Sequence, residues 1–400
     1  MKIPLACDIR NAVLSNINMA ENPTKDQLYS LIDDALYQYE EIKFLPFETI
    51  NELRHQVYNS IYGLDVLQKY IEDDSISEIM VNGCNNIFIE RNGAIEKVND
   101  SFESPQKLTD TIQHIVSLAN RRVNEASPIT DSRLLDGSRV NIVLSPVSID
   151  GPAITIRKFP NFSYTMEKLI SIGSITSEAA EFLHSLVIAG YNIFISGGTG
   201  SGKTTFLNLL SNYIPTDQRI ITIEDSAELQ IKNIDNLVRL EARKANTEGN
   251  NEISIESLIK CALRMRPDRI IVGEVRGFEA LSMLQAMNTG HDGSLSTGHA
   301  NSARDMLTRL ETMVLMGASM PIPAIRSQIA SAIDIIIHLG RLSDRSRRVL
   351  EISEIVGFDG TDIILNPLFI RDKNTQLTRT TNRLVNTKKA DFSGVNISLK

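Results

Sequence analysis

The sequence predicts an α/β protein: a phosphate-binding domain with a central, mostly parallel sheet, preceded by a smaller α+β domain and a short helical segment. Three observations carry this. Residues 196–205 read SGGTGSGKTT, with a strand-like run before them at 191–195 and a helix-compatible run after them at 203–214. From residue 175 onward, strand-like and helix-like apolar runs alternate, the pattern of strands joined by crossover helices. Upstream, residues 77–158 carry short strand-like runs around tight-turn pairs and one helical run, the pattern of a separate α+β domain.

Taken in order, residues 1–23 show little periodicity and are expected to form a flexible N-terminus. Residues 24–41 predict a helix: Leu28, Leu31, Ile32, Ala35 and Leu36 fall at helical spacing behind Thr24 as cap. Runs at 46–62 and 64–71 continue as helices, giving a helical subdomain over 24–73. The α+β domain is expected over 74–160. Strands at 79–81 and 87–90 flank the turn Asn82-Gly83. A second turn, Arg91-Asn92-Gly93, leads into 94–98. A helix at 105–120 and strands at 132–135, 139–144 and 153–158 follow, with Asp136-Gly137 as a turn. A linker is expected over 161–174, with its hinge at 161–166.

The phosphate-binding domain is expected over 175–370. Its helices are predicted at 177–189, 203–214, 254–265 (capped by Ser254), 278–288 (stopped by Gly290), 302–316 and 323–332. Its strands are predicted at 191–196, 219–223, 269–273 and 294–298, then hairpin-like at 335–339, 348–355 and 361–365. Residues 371–400 read as a polar tail.

The 400 residues suit two or three domains, and 42% hydrophobic with 22% charged residues is ordinary for globular protein. The net charge of −8 argues against broad, sequence-independent nucleic-acid binding. Cys7, Cys84 and Cys261 are scattered and include no CxxC pair, which excludes the usual zinc and disulfide frameworks and points to a reducing cytoplasm. No apolar run approaches the ~18 residues of a membrane span, so any membrane role is expected to be peripheral. The opening MKIPLAC reads as a chance likeness to a lipoprotein signal, because too few residues precede Cys7 to make an apolar core.

Residues 197–204 fit the phosphate-loop pattern G-x-x-x-x-G-K-[ST] through Gly197, Gly202, Lys203 and Thr204. Gly197, Gly198, Gly200 and Gly202 let the backbone turn tightly and aim N–H groups at an anion, with Thr199, Ser201 and Thr205 completing the cradle. The phosphates then sit at a helix N-terminus, Lys203 reaches the β- and γ-phosphates, and Thr204 ligates Mg²⁺. A glycine-rich turn that binds nothing is the plain alternative, and the strand and helix flanks count against it.

In a parallel sheet, ligands bind at the carboxyl ends of the strands. Two further strands end in acid: one in Glu224-Asp225, with Glu228 shortly after, and one in Glu274. Glu274 is expected to polarise the attacking water. Glu224 or Asp225 is expected to hold the magnesium hydration shell or share the base role. His291 and His299 flank a small-residue strand in TGHDGSLSTGHAN. Without a Cys or His cluster around them they read as phosphate contacts rather than metal ligands.

These stretches, in this order, resemble the Walker A, Asp, Walker B and His boxes of the secretion-ATPase superfamily, the motors of type II secretion, type IV pili and type IV secretion. The matching runs are 197–204, TIEDSAEL from Thr222, LRMRPDRIIVGEVRGFEA over 263–280, and 289–301. The resemblance extends from about residue 71 to about 368. SISEIMVNG, DGSRVN, IDGPAITIRKF and LETMVLM look most like the CpaF branch, the motor of tight-adherence (Flp) pili. The four-cysteine insert usual in the type II branch is missing, and Ser226 stands where proline is common.

The resemblance implies a RecA-like C-terminal domain, ATP and Mg²⁺ as cofactors, and a homo-hexameric ring on the cytoplasmic face of the inner membrane. There it would drive a membrane platform protein. It also implies that Arg133 and Arg139, with Arg157 close by, reach the γ-phosphate, a role that suits the fixed charge and forked donors of arginine. Arg264 and Arg276 flank the Walker B run and would link it to the interface. Other readings are export of DNA or protein by a type IV secretion motor, a nucleotide-gated scaffold that hardly hydrolyses, and a helicase or recombinase.

Overall fold

The computed structural model describes residues 5–16, 24–91, 93–119, 121–158, 164–243, 252–372 and 376–397. It divides into two units, residues 1–163 and 164–400.

The first unit opens with a three-helix bundle: α1 (Leu5–Asn16), α2 (Lys25–Tyr37) and α3 (Phe47–Ile61). Each contributes an apolar stripe, and Ile9, Val13, Leu28, Ile32, Leu36, Leu53 and Val57 are buried together. Thr24 caps α2 through a capping box with Gln27. The flexible start expected over 1–23 is therefore corrected within 5–16: Ile9 and Val13, one helical turn apart, are core residues. Residues 1–4 and 17–23 lie outside the described residues.

After α4 (Gln68–Glu72) come β1 (Ile76–Asn82), β2 (Ile87–Arg91), β3 (Ala94–Lys97), α5 (Pro105–Leu118), β4 (Ile129–Arg133), β5 (Arg139–Val143) and β6 (Ala153–Arg157). The strands form one sheet in the order β3-β2-β1-β6-β5-β4, with antiparallel neighbours throughout. The period-2 alternation sorts its faces. Ile79, Val81, Ile89, Val140, Ile154 and Ile156 are buried with Leu108, Ile112 and Ile115 of α5. The opposite face carries a row of charges, because Glu90 pairs with Glu78, Glu78 with Arg157, Arg157 with Arg139, and Arg139 with Arg133.

The second unit begins with α6 (Met166–Ser171) and α7 (Ser177–Ile188). The linker expected over 161–174 is corrected from residue 166 on: Met166 and Leu169 are buried in this unit's core. Residues 161–163 lie outside the described residues. Then follow β7 (Ile193–Gly197), α8 (Lys203–Ser211), β8 (Ile220–Glu224), β9 (Leu237–Glu241), α9 (Ile255–Ala262), β10 (Arg269–Val272), α10 (Glu279–Met287), β11 (Leu295–Gly298), α11 (Ala303–Gly317) and α12 (Ile322–Ala332). The unit closes with β12 (Ile335–Arg341), β13 (Arg347–Phe358), β14 (Ile363–Arg371), β15 (Leu377–Arg379) and α13 (Lys388–Ser393).

Nine strands make one sheet, ordered β15-β14-β13-β12-β7-β11-β10-β8-β9. From β12 to β9 every neighbour is parallel, and from β12 to β15 every neighbour is antiparallel. β7, β8, β10 and β11 are buried on both faces, so their sequences are continuous apolar or small runs apart from Arg269 at the start of β10 and Glu224 at the end of β8. On one face Ile193, Ile195 and Leu295 pack with α7 and α8. On the other Phe194, Ile221, Ile223 and Val272 pack with α9 to α12.

The polar tail expected over 371–400 is not a free tail where it is described. β15 extends the sheet, and Leu377, Leu384, Ala390 and Ile397 are buried in the core. Two acids, buried Glu354 and half-buried Asp334, hold it. Glu354 accepts the N–H groups of Val385 and Asn386, and Asp334 accepts the Lys389 ammonium at 2.7 Å. β9 was not anticipated: it is a half-exposed edge strand with weak alternation, LVRLE.

Candidate nucleotide site

β7 delivers the chain into the glycine loop at the carboxyl edge of the sheet. Gly197 has no room for a side chain, since a Cβ there would lie 2.5 Å from the Leu339 carbonyl oxygen of β12. Gly200 and Gly202 take φ of +70° and +95°, which glycine adopts without strain. α8 then begins at Lys203 with no side-chain cap, so the N–H groups of its first turn point outward to receive an anion.

Lys203 is mostly buried and folds back on the loop. Its Nζ donates to the carbonyls of Gly197 (3.1 Å) and Gly198 (3.0 Å) and to Nδ1 of His299 (3.2 Å). An ammonium has no lone pair to offer, so His299 Nδ1 accepts and the ring proton sits on Nε2. That Nε2 lies 2.8 Å from Glu274 Oε1, a close contact whose angle makes no hydrogen bond, and Arg276 Nη2 donates to Glu274 Oε2 at 2.9 Å. A chain Lys203–His299–Glu274–Arg276 thus runs across the carboxyl ends of β7, β11 and β10. Burial lowers the Lys203 amine to about 8, against the pull of Glu274. Burial also lowers His299, which favours the neutral ring that accepts from Lys203.

Glu224, at the end of β8, is 3% exposed. Its Oε1 accepts the N–H groups of Glu228 (2.8 Å) and Leu229 (3.0 Å). Its Oε2 is buried and has no protein partner, as do Ser201 Oγ and Thr222 Oγ1. Burial pushes the Glu224 carboxyl up, partly offset by those two hydrogen bonds. Gly273 makes room for it: a Cβ at 273 would lie 2.9 Å from Glu224 Cγ. Asp225 is exposed, and Glu228 is half-buried in the loop that follows.

Among the described residues no group of three or more His, Cys, Asp or Glu side chains forms a metal cage. A hydrated Mg²⁺ carried by a nucleotide needs less than that. The Thr204 hydroxyl lies in the first turn of α8, and the unpartnered Glu224 Oε2 could accept from one of the ion's waters, so the donor set fits such an ion.

Two expected residues fall elsewhere. His291 lies ahead of the amino end of β11, where its Nδ1 meets the Ala286 carbonyl (3.2 Å) at the end of α10. The parallel register sets Gly298 beside Ser196 and Leu295 beside Ile193. His299 and His291 therefore sit at opposite edges of the sheet, and only His299 joins the loop. Arg264 likewise sits at the end of α9, before the amino end of β10. Arg133, Arg139 and Arg157 belong to the first unit and stand side by side in its charged row.

Other contacts escaped the sequence reading. His338 of β12 is buried, and its Nδ1 is 2.7 Å from Ser196 Oγ at the mouth of the loop. Thr297 Oγ1 donates to the Gly273 carbonyl, joining β11 to the end of β10. Arg347 reaches the loop at Gly202, with its Cδ 3.7 Å from where a Cβ would be. No local pattern marks His338 or Arg347, because both arrive through strand register.

Comparison with known proteins now bears on the geometry. The model of the family described as type II/IV secretion system protein matches residues 62–391. A Mycobacterium tuberculosis protein named provisionally for conjugal transfer is 32% identical over 304 residues, covering 74% of this chain and 86% of that protein. The type IV secretion system protein PtlH of Bordetella pertussis is 32% identical over 326 residues, covering 73% of this chain and 94% of its own. The crystal structure of the pilus retraction motor PilT superposes with a TM-score of 0.53 at 21% identity, covering 83% of this chain and 87% of that one. At that identity the likeness is one of fold.

Proposed function

The chain belongs to the type II/IV secretion system protein family, and from that premise we propose that it is a motor that hydrolyses ATP to drive pilus assembly or secretion. The observation that supports this most is the line Lys203–His299–Glu274 at the mouth of the phosphate loop. It joins the phosphate-binding cation to the acid that would orient the attacking water.

In this reading the loop amides of 198–204 and the ammonium of Lys203 grip the β- and γ-phosphates. Mg²⁺, held by Thr204 and through water by Glu224, would draw off charge from the same oxygens. Entry of the phosphates takes Lys203 from its own loop carbonyls and from His299. His299 Nδ1 then loses its donor, and the ring is released to face the γ-phosphate. Glu274, steadied by Arg276, holds the water in line. Arg133 and Arg139, with Arg157 beside them, supply further positive charge to the γ-phosphate from the first unit of the same or a neighbouring copy. Loss of the γ-phosphate removes those contacts, and that change is the power stroke.

The finer assignment is a CpaF-like ATPase of Flp pili, acting as a hexamer on the inner face of the cytoplasmic membrane against a platform protein. The stretches SISEIMVNG and DGSRVN support it. No helix among the described residues is long and apolar enough to cross a membrane, which fits a peripheral attachment. The test is steady-state turnover. Glu274→Gln and Lys203→Ala are each expected to lose at least about a hundredfold in kcat/KM. Near-normal turnover by either variant ends the motor reading.

A second reading, export of DNA or protein, is favoured by the names of the relatives. Turnover stimulated by DNA, and lost steeply with salt, would select it.

A further inference from the structure

We propose that Asn208 and Asn212 are positioning residues: they tie the acidic loop after β8 to the phosphate-loop helix, so that phosphate binding at the start of α8 sets the place of Glu224. The inference rests on the ATPase reading and names two residues that reading leaves out.

Residues 227–232 belong to no helix or strand, so their N–H groups need partners from elsewhere. Side chains supply them. Glu224 Oε1 takes Glu228 and Leu229. Asn208 Oδ1 takes Gln230 at 2.8 Å, and Asn212 Oδ1 takes Lys232 at 2.8 Å. Asn208 lies in α8 and Asn212, four residues on, is its helical C-cap, so the two share one face, one turn apart. Asn212 Nδ2 also donates to the Asn208 carbonyl (2.9 Å), which orients its amide with the oxygen toward the loop. Between these rungs Leu229 is buried in the same core as Leu207 and Leu210.

The physical consequence is a short lever. α8 is a stiff body that begins at Lys203, and Asn208 lies about 7.5 Å along its axis. A shift of α8 as phosphates seat against its first turn moves both rungs together. The loop follows, and with it the two N–H groups that fix Glu224. A loop held only by its own turns would not register that shift.

The test compares full-length wild type with Asn208→Leu/Asn212→Leu, which keeps the branching at Cγ and loses the acceptors, and with Asn208→Asp/Asn212→Asp, which keeps the acceptors. Hydrogen exchange over 228–232 is followed with and without AMP-PNP and Mg²⁺, alongside kcat and KM for ATP. In wild type the amides of Gln230 and Lys232 are protected, and AMP-PNP slows them further. The leucine pair should abolish that response and lower kcat about tenfold while KM stays within about threefold, the loss of two positioning contacts being worth about ten in rate. The aspartate pair should restore both.

Unprotected amides in wild type, or a leucine pair that answers AMP-PNP as wild type does, overturn the proposal. So does a leucine pair whose losses the aspartates fail to rescue. A wild type that shows the exchange response without turnover overturns the ATPase reading instead. If the leucine pair fails to bind AMP-PNP, the wild-type and aspartate exchange data decide alone.

Discussion

In the proposed reading Lys203 has two roles that compete. Until phosphate arrives, it bonds to the Gly197 and Gly198 carbonyls and to His299, in a setting that holds its amine at about 8. Phosphate raises that value, so binding takes up a proton once the free lysine has lost its own. Affinity should therefore be flat below pH 8 and weaken by about tenfold per pH unit above it, until the bound lysine's own higher value is reached. Calorimetric titration with AMP-PNP from pH 6.5 to 9.5 checks the sign, and an affinity that rises with pH contradicts it. Gly273 offers a second test at this scale. Alanine there crowds the Glu224 side chain at its Cγ. Gly273→Ala should lower kcat by about tenfold and cost on the order of 1–3 kcal/mol of stability, read from turnover and urea unfolding.

At the scale of elements, the C-terminal segment is a structural strap. Glu354 is 1% exposed and spends its carboxylate on Val385, Asn386 and Asn366. Glu354→Ala leaves two backbone N–H groups without their acceptor, an expected loss of about 2–5 kcal/mol in chemical denaturation. A loss below about 0.5 kcal/mol would show that the strap is held by apolar burial alone. At the other end of the chain, α1 contributes Ile9 and Val13 to the bundle core. Ile9→Ala should destabilise the bundle by about 2–4 kcal/mol without touching nucleotide affinity, as measured by calorimetry and AMP-PNP titration.

For the whole molecule, the row Glu90–Glu78–Arg157–Arg139–Arg133 is the feature that matters most. Burial together with Glu90 raises the Glu78 carboxyl against the pull of Arg157. In the proposed reading these arginines serve the γ-phosphate, which suits the fixed charge and forked donors of arginine. Arg133→Ala/Arg139→Ala should keep AMP-PNP affinity within about threefold and lose about a hundredfold or more in kcat. If the row serves a neighbouring copy, mixing this variant with Lys203→Ala should recover part of the turnover that neither variant has. Specific activity that does not change with protein concentration would remove the shared-site model.

The phosphate loop was legible because its chemistry is local: glycines, a lysine and a hydroxyl must follow one another between a strand and a helix. Glu224 and Glu274 were legible by the same logic, each closing an apolar strand. The core of α2 could be read from its period, and the two-sided strands from their continuous runs between turn signals. α1 could not, because Ile9 and Val13 are a sparse stripe that is apolar enough only beside α2 and α3. The tail could not either, since its anchors, Glu354 and Asp334, lie tens of residues away in sequence. The pairing of His299, rather than His291, with the loop was settled by parallel register, which puts the two ends of β11 at opposite edges of the sheet. The chain order therefore determined the chemical groups and the strands that present them. Only tertiary structure decided which groups meet, because hydrogen bonds and register join residues that no local spacing connects.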